Sequence, residues 1–147
     1  MGLLEFGNIL RFICEGEPSA EEKRELFRET ALLALARATS ADTHIDNVEV
    51  ETVQAILRDV IGEEISVADI RTAAKSELFE KEPLESYLSG VAKKLDVGDR
   101  ITILRCLGDV IRSDERISQY ETDYFDTVAQ ALKATPSEIA GLAPRGV

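Results

Sequence analysis

The chain is organised around the stretch SADTHIDNVEVE at residues 40–51, which returns 72 residues later as RSDERISQYETD at residues 112–123. The third residue of each copy is an aspartate, Asp42 and Asp114. Each copy follows one apolar run with helical spacing and precedes another. The repeat therefore predicts two halves, each made of a helix, an acidic turn, a second helix and a capped short helix.

Composition supports an all-helical fold. The chain has 147 residues, of which 44% are hydrophobic, with only four prolines and nine glycines. That length suits one domain with its own core, and no stretch alternates with the period of two that predicts a strand. We expect an all-α, single-domain bundle of about seven helices, built from two pseudo-symmetric helical repeats that pack against each other.

The repeat also sets the expected boundaries. Residues 1–18 are predicted to carry an N-terminal amphipathic helix, and residues 19–142 the helical domain. Within that domain the first repeat covers about 20–75 and the second about 97–142. Residues 143–147 are expected to form a loose tail, as chain ends often do.

The N-terminal segment has apolar residues three and four positions apart over residues 3–14, which is typical of an amphipathic helix. It either packs on the bundle or contacts a partner or a membrane surface. Its single basic residue, Arg11, argues against an anionic membrane. No apolar run approaches the roughly 20 residues that span a bilayer, and no secretory signal is present, so we expect a cytoplasmic protein.

Several helix boundaries are predicted from local signals. Ser19 with Glu22 forms a capping-box pattern for a helix over residues 20–40, and Asp99 is expected to cap a later helix. Gly62 is expected to end the helix that follows the first acidic turn. The first helix is predicted to bury one stripe, consisting of Leu26, Phe27, Thr30, Ala31, Ala34, Leu35 and Ala38.

The formal net charge of −11 restricts the possible partners. Such a field repels phosphate backbones and simple oxyanions, so nucleic acid is not an expected partner. Cations and basic protein surfaces are the partners that this charge attracts. The two cysteines, Cys14 and Cys106, form no CxxC pair, and both are expected to be reduced thiols.

Helix capping explains part of the repeated motif. Asp46 and Ser118 are good N-cap residues, and Glu49 and Glu121 stand three positions later, as in a capping box. Carboxylates in a first helical turn are also favoured by the helix dipole. Capping does not explain Asp42 and Asp114, which lie four positions before these N-caps. They are expected to close the preceding helix, where the dipole disfavours negative charge.

If both turns meet at one end of the bundle, their oxygen atoms form a candidate cation site. Oxygen clusters of this kind suit Ca²⁺ or Mg²⁺. A zinc site is the weaker possibility because His44 is the only histidine. The proposed metal ligands are Asp42, Asp46, Glu49, Asp114 and Glu121, with Ser118 and His44 as weaker candidates. Capping alone and a cation or partner site are both open interpretations of the motif.

Catalysis is not expected. Paired carboxylates can act as general acid and base, so a carboxylate-based hydrolase is the enzyme alternative. The sequence has no nucleophile–base pair, no glycine-rich phosphate loop and no cluster of histidines or cysteines. We therefore predict a non-enzymatic protein without catalytic residues.

The doubled motif resembles that of the TerB family of tellurite-resistance-associated proteins, to which the N-terminal domain of DjlA-type co-chaperones is related. The family pattern is Ala-Asp-Gly-x-Ile/Val-Asp/Ser-x-x-Glu, matched here by residues 41–49 and 113–121. Thr43 and Glu115 replace the glycine, and Arg116 adds a positive charge. The resemblance covers about residues 25–140.

This resemblance implies a helical bundle with an acidic face that binds metal and a cytoplasmic role linked to stress. It brings no defined biochemical activity. Our leading hypothesis is a binding module whose acidic face takes a divalent cation or a basic protein partner. The alternative is a structural scaffold or co-chaperone-type interaction domain in which the acidic motifs only cap helices.

Overall fold

The computed structural model describes residues 19–39, 50–74, 84–113 and 119–139. Within these ranges the chain forms helices and no strand, which confirms the predicted all-α class. The helices are α1 (Ala20–Arg37), α2 (Val50–Ile61), α3 (Val67–Ala74), α4 (Leu84–Ala92), α5 (Val97–Arg112), α6 (Gln119–Ala131) and α7 (Pro136–Ile139). The predicted N-terminal helix, the loose tail and both acidic turns lie outside the described residues.

Two helices begin with capping boxes, and the one at α1 is the box that the sequence predicts. At α1 the Ser19 hydroxyl accepts a 3.1 Å hydrogen bond from the Glu22 amide, and the Glu22 carboxylate accepts one of 2.9 Å from the Ser19 amide. At α7 the same exchange joins Thr135 and Glu138, at 3.2 and 2.7 Å. Each cap contributes about 1 kcal/mol. These starts are therefore fixed by residues within one turn of each other.

The first helix, α1, is the centre of the bundle. It contacts α2, α3, α4 and α5, and every residue from position 29 to position 36 is buried. The predicted single apolar stripe is therefore wrong in extent, since Leu32, Leu33 and Ala36 are buried as well. A helix that is apolar on all sides suits a position enclosed by other helices.

The fifth helix, α5, also lies inside the bundle and contacts α1, α2, α6 and α7. It begins at Val97 and its N-cap is Asp96. The prediction that Asp99 caps this helix is wrong, because Asp99 already lies in its first turn. Gly98 lies in the same first turn and does not interrupt the helix. Burial and the nearby Asp96 raise the pKa of Asp99.

One arginine in each half makes a comparable contact. Arg28 of α1 forms an ion pair with Glu63, just beyond the end of α2. Arg100 of α5, which aligns with Arg28 in the repeat, donates a 3.1 Å hydrogen bond to the carbonyl of Leu132, just beyond the end of α6. These contacts agree with the proposed repeat. The pseudo-symmetric packing of the complete halves stays a prediction.

Candidate functional site

The end of α1 lies beside the beginning of α6. Tyr124 lies in the second turn of α6, and its hydroxyl donates a 2.6 Å hydrogen bond to the carbonyl of Ala34, in the last turn of α1. The first acidic stretch follows α1 and the second precedes α6. The described residues that flank the two acidic turns are therefore adjacent in space, although these two bonded residues are 90 positions apart in the chain.

The opposite end of the bundle is defined by the starts of α1 and α5. The ammonium group of Lys23 lies 3.2 Å from the carboxylate of Asp96. Eleven helical residues separate Lys23 from Ala34, a rise of roughly 16 Å. The ion pair and the tyrosine hydrogen bond thus mark two different ends of α1. The flanks of the acidic turns lie at the second of these ends.

Among the proposed metal ligands, Glu121 lies within the described residues. Its side chain is 0% exposed, in the first turn of α6. A carboxylate is rarely buried so completely unless hydrogen bonds or opposite charge offset its desolvation. The adjacent N-terminus of α6 supplies part of that stabilisation through its dipole. Among the described acidic residues, only Glu121 and Glu29 are buried.

The remaining proposed ligands fall outside the described residues. These are Asp42, Asp46, Glu49, Asp114, Ser118 and His44. Their convergence on Glu121 therefore stays a prediction. Within residues 19–39, 50–74, 84–113 and 119–139, no group of three or more histidine, cysteine, aspartate or glutamate side chains is arranged to hold a metal ion.

A second contact fixes the end of α1 from the other side. The guanidinium of Arg37, the last residue of α1, donates a 3.0 Å hydrogen bond to the carbonyl of Ala74, the last residue of α3. Burial raises the pKa of Tyr124 above its usual range, and this effect outweighs the opposing influence of Arg37. The tyrosine hydroxyl therefore keeps its proton, and its role as a donor, throughout the neutral range.

The sequence does not indicate the hydrogen bond between Tyr124 and Ala34. A tyrosine whose ring packs inside a protein still needs a hydrogen-bond partner for its hydroxyl, so a bond of this kind can be expected from the residue type. The same expectation applies to Tyr87 of α4, which bonds Glu29 inside the core at 2.8 Å. Neither acceptor could be named in advance, because each lies far away in the chain.

Comparison with known protein families now decides the relationship. The family model described as "Tellurite resistance protein TerB" matches residues 28–143. The chain belongs to the TerB family. The resemblance that the doubled acidic motif suggested is thus confirmed over most of the chain.

Neither curated proteins nor solved structures provide a relative of this TerB-family chain. No curated protein matches the chain, and no solved structure matches it. Among the described residues, no helix is both long enough and apolar enough to cross a membrane.

Proposed function

We propose that this TerB protein is a non-enzymatic module that binds a divalent cation between its two acidic turns. The hydrogen bond from Tyr124 to Ala34 carries the proposal, because it joins the helix ends from which both turns extend. Complete burial of Glu121 beside one of these turns supports it. Carboxylate and hydroxyl oxygens favour Ca²⁺ or Mg²⁺, whereas Zn²⁺ prefers the nitrogen and sulfur ligands that this motif largely lacks.

Charge supports the same function. The net charge of −11 raises the local concentration of cations around the molecule. Asp114 directly follows Ser113, the C-cap of α5, where an unneutralised carboxylate opposes the helix dipole. A bound cation would remove that repulsion.

The proposal assigns no catalysis. Cys106 is the cysteine among the described residues, and it is buried in α5. Burial raises the pKa of its thiol to about 11, so the nucleophilic thiolate is scarce at neutral pH. A carboxylate-based hydrolase would instead show turnover that depends on Glu121, which assays of Glu121→Gln against ester and phosphoester substrates would reveal.

Thermal unfolding with and without cations tests the proposal. The chain is stripped with EDTA and then supplied with Ca²⁺, Mg²⁺ or Zn²⁺. A cation at 100 times its Kd should stabilise the fold by about 2.7 kcal/mol. We expect the shift with Ca²⁺ or Mg²⁺, and its loss in Asp42→Asn/Asp114→Asn and in Glu121→Gln.

A matched control separates the site from general charge. Asp59→Asn/Glu64→Gln removes the same two negative charges as the double aspartate variant. Both residues are exposed and lie at the far end of α2, near the ion pair of Glu63 with Arg28. The control should keep the cation response. Identical behaviour of wild type and Asp42→Asn/Asp114→Asn, with no shift from any cation, would leave capping as the whole role of the motif.

A basic protein partner is the second candidate function, and the net charge of −11 favours it. Such a partner would bind the same acidic end, and its affinity would fall with added salt. Titration of a lysine-rich peptide, followed by NMR at two salt concentrations, tests this candidate. Binding that survives Asp42→Asn/Asp114→Asn would rule out the acidic end as the contact.

The description of the matching family supports a link between this chain and tellurite resistance. We propose an indirect contribution, because tellurite is an oxyanion and the field of the molecule repels it. A tellurite-sensitive host that carries the wild-type chain should grow better in tellurite than one that carries Asp42→Asn/Asp114→Asn. Equal growth of the two strains would separate the acidic turns from resistance.

A further inference from the structure

We draw no further inference here: the strongest candidate, the apolar surface patch at the start of α5 where Val97 is 47% exposed and Ile101 is partly exposed, carries none because nothing in the structure shows what covers it.

Discussion

The hydroxyl of Tyr87 in α4 donates a 2.8 Å hydrogen bond to the carboxylate of Glu29 in α1, inside the core. The two residues are only 1% and 9% exposed. α4 has no counterpart in the predicted repeat, since it lies between the two halves of the sequence. This bond joins that inserted helix to the central helix of the bundle.

Tyr87→Phe should therefore destabilise the fold. The carboxylate of Glu29 loses this donor while it stays buried, which costs about 1–3 kcal/mol. Urea denaturation of wild type and variant measures the difference. Replacement of both partners in Tyr87→Phe/Glu29→Leu should cost less than the sum of the single changes, because no polar group is then left buried. If the unfolding free energies of the two single variants simply added up to that of the double variant, a direct bond between the two side chains would be contradicted.

The ends of α2 and α6 predict opposite effects of glycine. Gly62 ends α2 with φ of +84° and donates to the carbonyl of Arg58, and Lys133 follows α6 with φ of +59°. This left-handed region is unfavourable for residues with a Cβ atom. Gly62→Ala should destabilise by about 1 kcal/mol, and Lys133→Gly should stabilise by a similar amount. Since no atom lies within 4 Å of a Cβ at position 62, steric collision does not complicate the comparison.

Both glycine variants can be measured by urea denaturation under one set of conditions. If both variants shifted the free energy of unfolding in the same direction, helix propensity rather than the left-handed conformation would dominate at these ends.

Cys106 should make stability fall at alkaline pH. Burial raises the pKa of its thiol from 9.0 to about 11 in the folded protein. Between these values the unfolded chain loses the proton while the folded chain keeps it, so stability decreases as pH rises. A urea midpoint measured from pH 8 to pH 10.5 should fall less steeply in Cys106→Ala. An identical slope would show that other groups, such as the hydroxyl of Tyr124, cause the loss.

The same burial predicts an unreactive thiol. In a Cys14→Ser background, Ellman's reagent should modify Cys106 quickly only after the protein is unfolded. Rapid modification of the folded protein at pH 8 would contradict the buried position of this thiol.

The two arginines that align in the repeat should differ in their contribution to stability. The pair of Arg28 with Glu63 is partly exposed on both sides, so Arg28→Met should cost less than about 1 kcal/mol. Arg100 instead donates to a part-buried carbonyl of Leu132, and Arg100→Met should cost about 1.5–3 kcal/mol. Added salt should reduce the effect of Arg28 more than that of Arg100. Denaturation of both variants at low and high salt checks this order.

Local sequence predicted the helix ends well where both partners lie within one turn. The capping boxes of Ser19 with Glu22 and of Thr135 with Glu138 are examples. The start of α3 is likewise local, since the hydroxyl of Ser66 accepts from the amide of Asp69. The prediction for Asp99 failed because two aspartates at positions 96 and 99 offer competing starts, and local signals do not rank them.

The candidate metal site stays a prediction. The acidic pattern indicated Glu121, and the structure shows its carboxylate buried at the start of α6. The sequence could not show that the end of α1 lies beside the start of α6. That required the bond of Tyr124 to Ala34, and a contact across 90 positions leaves no periodic trace in the sequence.

The sequence alone determined the helical class, the family and most helix starts, because these depend on apolar periodicity, a doubled motif and neighbours within one turn. Only the tertiary structure decided that residues 29–36 of α1 are buried on every side, that Glu29 meets Tyr87, and that Tyr124 joins the end of α1 to the start of α6. The physical reason is that these contacts depend on which helix packs beside which. Many helices with similar apolar faces could satisfy the same pattern until the whole chain has folded.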